Sequence, residues 1–136
     1  MQHPEHVQFI NPSTLAPTPR YSHVAKVTGG QTIYIAGQVA LDSAGNLVGR
    51  DDFRAQAQQV FENLKAALNA AGADFSHLVK INIYVVDRSY MPLLREVRDL
   101  YAKTQTPPAS TAVVVRGLVQ EEFLLEIDAI ASLPAA

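Results

Sequence analysis

The sequence predicts an α+β protein in which two helices cover one face of a mixed sheet, and three observations predict it. Five runs with β-type composition alternate in period two or nearly so, at residues 21–28, 31–37, 78–86, 110–118 and 123–131. Two stretches, 51–71 and 89–103, carry apolar residues at steps of three and four. Together they give the order β-β-α-β-α-β-β. Finally, several strands are apolar on both faces, with Leu124 and Ile130 opposite Ile127, and Tyr84 and Val86 opposite Val85. Two helices can cover only one face of such a sheet. An exposed apolar sheet face marks an interaction surface, so a homo-oligomer that buries the uncovered face is expected.

Taken in order, residues 1–20 are polar and dotted with Pro4, Pro12, Pro17 and Pro19, which suits an extended lead-in to a single domain at 21–136. His3 and His6 stand three apart, but Pro4 lies between them and no third ligand is evident, so a mobile terminus is expected there. The next two strands flank Gly29-Gly30, a dipeptide suited to a tight hairpin turn. Ile33 and Ile35 face one side, Tyr34 and Ala36 the other; Gly37-Gln38 ends the strand, and residues 42–46 (DSAGN) form a turn. In the first helix Phe53, Ala57, Val60, Phe61, Leu64, Ala67, Leu68 and Ala71 make one apolar stripe, with Asp51 or Asp52 as cap and Gly72 as close. Ser89 is a candidate cap for the second helix, which tolerates Pro92 in its first turn and would bury Leu93, Leu94, Val97, Leu100 and Tyr101. Pro107-Pro108 stops it before the last two strands.

Composition narrows the function classes. The chain has 136 residues, 48% apolar and 18% charged, with eleven basic against thirteen acidic residues. That is enough to bury a core without staples. The charges are scattered, and no basic stripe follows a phosphate backbone, so nucleic acid is a poor first expectation. Cysteine is absent, which excludes disulfides, zinc ribbons and thiol chemistry. There is no apolar run of membrane-spanning length and no signal peptide pattern at the start, so a cytoplasmic protein without membrane contact is expected. No phosphate loop, Gly-x-Ser-x-Gly elbow or His-Glu-x-x-His appears. His23 and His77 are unaccompanied, and Ser22, Ser110 and Thr111 have no evident histidine partner. No metal and no organic cofactor is expected.

What remains is a pair of acids in the last strand. Period-two alternation puts Phe123, Leu125, Ile127, Ala129 and Ala131 on one face, and Leu124, Glu126, Asp128 and Ile130 on the other. A carboxylate in an apolar strand is costly unless something satisfies or uses it. One reading pairs Glu126 with a cation of a neighbouring strand or subunit, Lys80 and Arg116 being on hand. The other gives it a chemical task at a contact between subunits.

The motifs decide between many alternatives at once. Tyr21-Ser22, IYIAGQVALD followed by DSAGNLVG, the long VFENLKAALNAAGADFSHLVKINIYVVD segment, PPAST and the closing LLEIDAIA together resemble the RidA (YjgF) family of reactive-intermediate deaminases over nearly the whole chain beyond the lead-in. The resemblance implies a chorismate-mutase-like subunit and a homotrimer with a ligand cleft at each subunit interface. It further implies cofactor-independent hydrolysis of 2-imino acids and their enamine tautomers, with an arginine clamping the substrate carboxylate and a glutamate on the last strand handling the water. Glu126 matches the glutamate, Tyr21 an early tyrosine and Gly37 the glycine of a Gly-Gln turn.

Three positions depart from the active pattern. Where active members read Pro-Ala-Arg-Ser, this chain reads Pro107-Pro108-Ala109-Ser110, so Ala109 stands where the clamp would be. Ala36 replaces the serine before Gly37, and Arg95 replaces an asparagine on the second helix. Removing one partner of a buried guanidinium–carboxylate pair costs about 2–5 kcal/mol, which is roughly thirty-fold to several thousand-fold in affinity. Arg116, seven residues along from Ala109, is roughly 23 Å away and of opposite parity. Arg95 is the better substitute. The expectation is therefore a RidA-like protein that binds a small carboxylate- or carbonyl-bearing metabolite in clefts between subunits, with weak or no 2-iminobutanoate deaminase activity. Two alternatives stay open: an imine or enamine deaminase of altered range that uses Glu126, and a non-catalytic, chaperone-like interaction protein.

Overall fold

The computed structural model describes residues 6–136. Eight regular elements follow in order: β1 (Val7–Ile10), β2 (Val24–Val27), β3 (Gln31–Gln38), α1 (Phe53–Ala70), β4 (Leu78–Val85), α2 (Met91–Ala102), β5 (Ala109–Val114) and β6 (Leu125–Leu133). The main sheet has the strand order β3-β6-β4-β5. Its central strand β6 runs antiparallel to both neighbours, while β4 and β5 are parallel. A parallel pair needs a crossover, and α2 supplies it. Among the described residues, no helix is long and apolar enough to cross a membrane.

The α+β class is as expected, and so is the one-sided cover. Leu125, Ile127, Ala129 and Ala131 of β6, Ile81, Ile83 and Val85 of β4 and Ile35 of β3 are buried beneath the helices. Against them α1 sets Phe53, Ala57, Val60, Phe61, Leu64 and Leu68, and α2 sets Leu94 and Val97. Asp52 caps α1 by accepting from the Ala55 N–H at 3.1 Å, and Gly72, at φ 78°, closes its far end. Gln56 on the same helix is fully buried and bonds the Gly49 and Glu122 carbonyls and the Leu124 N–H, so one side chain ties two loops to the core. The 42–46 turn forms around the Asp42 carboxylate, which accepts from the N–H groups of Ala44 and Asn46.

Several local expectations are corrected. Gly29-Gly30 does not close a hairpin between the strands that flank it. Both residues have positive φ, 69° and 85°, but β2 is already paired antiparallel with β1, Val7 opposite Val27, so the turn instead passes the chain from a two-stranded sheet to the edge of the main one. The lead-in is thus built into the structure from Val7 onward. His6, expected in a mobile terminus, bonds the Ser132 hydroxyl at 2.7 Å; His3 lies outside the described residues.

Ser89 is not the cap of the second helix. It sits within a short 3₁₀ turn, Arg88–Tyr90, whose cap is Asp87, accepting from the Ser89 N–H at 2.8 Å. Leu100, expected on the buried side of α2, is 71% exposed, because it lies about a third of a turn from the line through Leu94 and Tyr101 that faces the core. Tyr101 takes the inward place, stacked on Phe61 at 5.4 Å. The fifth strand stops at Val114, since β4, its ladder partner, ends at Val85; Val115 makes the last bond, to the Val85 carbonyl.

Candidate functional site

The face of the sheet opposite the helices carries the acids. Alternation along β6 leaves Glu126, Asp128 and Ile130 half-buried there, between buried Leu125, Ile127, Ala129 and Ala131. Tyr34 of β3, 79% exposed, shares this face, as do Lys80, Asn82 and Tyr84 of β4. The two acids differ in their surroundings. Asp128 accepts from the Asn82 amide at 2.7 Å and from the Tyr84 hydroxyl at 3.1 Å, so neutral donors on the next strand satisfy it. Donating to Asp128 raises the Tyr84 pKa, since losing the phenolic proton would set a second negative charge beside the first.

The Glu126 carboxylate has neither a hydrogen bond nor an ion pair with any described residue; Arg54 pairs instead with Glu96, between α1 and α2. Pairing with Lys80 does not occur, because Lys80 Nζ donates to the Thr111 hydroxyl at 2.8 Å. Glu126 faces backbone instead. Between the pairs Ile35–Ala129 and Gln38–Ile127, two residues of β3, Ala36 and Gly37, oppose Asp128 alone. This is a β-bulge, a device that re-aims backbone and side chains at strand ends. It brings Gly37 so close that a Cβ there would overlap Glu126 Oε2 and lie 2.9 Å from its Cδ. At 37 only a residue without a Cβ leaves the Glu126 carboxylate in this position. Just beyond, Asn63 of α1 donates to the carbonyls of Val39 and Leu41 at 3.0 and 2.9 Å, which pins the chain leaving the bulge.

Tyr21, Arg95 and Ser110 gather elsewhere. They line a cavity of about 290 Å³ on the helix side of the sheet, between α2, β5 and the segment before β2. That segment is held at the sheet edge by Ser22, which is buried and bonds the Pro107 carbonyl through its hydroxyl and the Pro108 carbonyl through its N–H. Ala109 is paired with Lys80 in the parallel ladder, so it faces the same side as Lys80, away from the helices. Ser110 pairs with Ile81 and faces the helices.

In one chain the expected site residues therefore fall into separate places. Ala36, Gly37 and Glu126 lie together at the bulge, while Tyr21, Arg95 and Ser110 lie across the sheet from them. Ala109 shares Glu126's face, but Glu126 stands on the rung of Tyr84 and Ala109 on that of Lys80, four residues or about 13 Å along β4. Within one subunit a single carboxylate-sized group cannot touch both. Sequence reasoning missed two features. One is the Lys80–Thr111 contact beside Ala109, created by ladder register. The other is Arg20 and Arg98, which line the same cavity as Arg95; the three-residue spacing of Arg95 and Arg98 on a helix is a signal for the second of these. Among the described residues no group of His, Cys, Asp and Glu side chains is placed to hold a metal.

The geometry has close relatives. YyfB of Yersinia pestis, a member of the conserved Rid protein family, superposes with a TM-score of 0.84 at 38% identity, covering 94% of this chain and 99% of that one. Protein DfrA of Myxococcus xanthus is 40% identical over 111 residues, 82% of this chain and 83% of DfrA. A 2-iminobutanoate/2-iminopropanoate deaminase of Dermatophagoides farinae is 33% identical over 100 residues, 74% of this chain and 78% of its own length. The family model described as Endoribonuclease L-PSP matches residues 12–133. The chain belongs to that family, the RidA (YjgF) family whose motifs its sequence carries.

Proposed function

We propose that this protein binds a small carboxylate- or carbonyl-bearing metabolite in clefts between the subunits of a homotrimer, with little archetypal 2-iminobutanoate deaminase activity. The observation that carries the proposal is the Glu126 carboxylate, unpaired among the described residues and set against the Gly37 backbone on a sheet face that no helix covers. An unpaired acid beside peptide N–H and C=O groups is a place to orient a water or a polar ligand. Glu126 lines neither the cavity beside Arg95 nor the one beyond Gly37, and it stands half-buried on the uncovered face. A neighbouring copy laid on the uncovered face supplies the missing wall. It also removes the separation between the Glu126 group and the Tyr21, Arg95 and Ser110 group, because each cleft then draws one group from each subunit. With Ala109 in place of the clamp, transition-state binding of an imino acid loses roughly thirty-fold or more.

A second reading, a deaminase of altered substrate range, is favoured by Lys80. Its ammonium lies on Ala109's side of the ladder and offers a point charge where the guanidinium is missing, and a relative named as an imine deaminase gives the reading chemical precedent. One assay separates the two. Imines generated in situ are presented to wild type, Glu126→Ala, Lys80→Met and Ala109→Arg, and keto-acid release is followed. The proposal expects wild type near background and a gain of thirty-fold or more in Ala109→Arg that is lost again in the double variant with Glu126→Ala. Wild-type turnover that falls in both Glu126→Ala and Lys80→Met establishes the second reading in its place.

A further inference from the structure

On the sheet face that no helix covers, the pairing between acids and donors is uneven. The acids are Glu126 and Asp128 of β6, and the donors that β4 sets beside them are Lys80, Asn82 and Tyr84. In the antiparallel ladder Asn82 stands opposite Asp128 and Tyr84 opposite Glu126. Direct opposition would give each acid one donor. Instead the Tyr84 hydroxyl passes its own neighbour and donates diagonally to Asp128 Oδ2 at 3.1 Å, while the Asn82 amide donates to Asp128 Oδ1 at 2.7 Å. Diagonal partners on two strands are about 7–8 Å apart at the backbone, a span that an aromatic side chain covers. Lys80 is taken by the Thr111 hydroxyl. All three donors of β4 are thus committed elsewhere, and Glu126 receives none of them. The Tyr84 phenol nevertheless lies within electrostatic reach of both acids. Its bond to Asp128 is the main cause that raises its pKa above the ordinary 10.0, followed by the Asp128 charge and burial, and the Glu126 charge adds to these.

We infer that Asp128 is a positioning residue for Glu126: by engaging Asn82 and Tyr84 it keeps the donors of β4 off the Glu126 carboxylate and leaves that group free for a water or a ligand. The inference rests on the role of Glu126 in the proposed function, and adds to it a task for the second acid two residues away. Without Asp128, the acceptor directly opposite Tyr84 on this face is Glu126. A carboxylate is a stronger partner for a phenol than a neutral acceptor is. Glu126 bonded to Tyr84 has an acceptor site occupied, and its carboxylate is drawn toward β4. That direction is away from Gly37 of β3, on the other side of β6, against which it is set when Asp128 holds the hydroxyl. One acid thus satisfies the donors so that the other stays available.

Crystal structures and imine turnover test it, the turnover being followed in the Ala109→Arg chain, or in wild type if that chain turns over. In Asp128→Ala the Tyr84 hydroxyl is expected within hydrogen-bond distance of the Glu126 carboxylate, which leaves Gly37. The kcat for imine hydrolysis should fall roughly tenfold or more with KM little changed, since what is lost is the handling of water and not the capture of substrate. Adding Tyr84→Phe should restore most of the lost kcat. A purely structural Asp128 gives the opposite result, because removing a second side chain of the same network then deepens the defect. Asp128→Asn keeps the shape of the side chain but gives up its charge and one acceptor oxygen, and it serves if the alanine variant does not fold; the same loss and the same rescue are expected at smaller size. Tyr84 standing clear of Glu126 in these variants overturns the inference, as does a loss of kcat that Tyr84→Phe deepens. If neither wild type nor Ala109→Arg turns over imines, the proposed role of Glu126 fails, while the position of Tyr84 still decides whether Asp128 holds it off.

Discussion

Gly37 and Glu126 show how little room the proposed chemistry leaves for substitution. The glycine has no positive φ to explain it; what it provides is the space into which the Glu126 carboxylate is set. Gly37→Ala must push the carboxylate aside, and the flexible end of a glutamate moves easily. The fold is therefore expected to tolerate the change, with a stability loss of about 1 kcal/mol or less, while any Glu126-dependent ligand binding or turnover falls at least tenfold. Urea denaturation alongside ligand titration checks the pair of outcomes. Equal losses in stability and binding would mean that Gly37 serves the strand and not the carboxylate. Asp128, two residues on, has its needs met by Asn82 and Tyr84 and belongs to the sheet's own bonding.

Among the elements, the short turn between α1 and β4 is a local device whose contribution depends on pH. Phe75–His77 forms a 3₁₀ turn capped by Asp74, which accepts from the Ser76 N–H and hydroxyl, while the Asp74 N–H donates to His77 Nδ1. The Ser76 hydroxyl, above all, lowers the Asp74 pKa below its ordinary 3.8; burial opposes this, and the Ser76 N–H and the nearby His77 reinforce it. A carboxylate with a depressed folded-state pKa contributes stability above its unfolded value, and that stability is lost as pH falls through the folded one. Asp74→Ala should therefore cost about 0.5–1 kcal/mol at pH 7, the low end for a solvent-facing cap. The difference from wild type should narrow as pH drops below 3.8. Urea midpoints at neutral and acid pH measure it, and a difference unchanged by acid would place the effect in backbone propensity instead.

For the whole molecule the governing asymmetry is a sheet with helices on one face and a mixed polar and apolar surface on the other. Tyr34 at 79% and Val113 at 42% exposure, beside half-buried Ile130, are costly to leave in water. In the proposed assembly, burying that surface against further copies would remove the cost and enclose Glu126 in the same step. Tyr34→Glu puts a charge on the face proposed to meet a second copy and is expected to shift the protein to a monomer by light scattering, with its far-ultraviolet circular dichroism unchanged. A wild-type protein that is monomeric at concentrations of tens of micromolar removes the basis for a cleft between subunits.

Periodicity alone carried the class of each long element, the buried faces of β3, β4 and β6 and the side on which Glu126 emerges, because those follow from bond geometry within a few residues. The Asp52 cap, the 42–46 turn and the Gly37-Gln38 strand end were legible for the same local reason. Pairing was not. That β2 joins β1 and not β3, that two residues bulge opposite Asp128, and that Lys80 comes beside Ala109 are outcomes of competition among edges far apart in the chain, which no local pattern encodes. The arginine cavity is the extreme case: Arg20 precedes the first strand of the expected domain, Arg95 and Arg98 belong to the second helix, and only the packing of α2 over β5 brings them to one wall. Charge is counted along the chain, but its energy depends on distance in space, and distance is set when the chain folds.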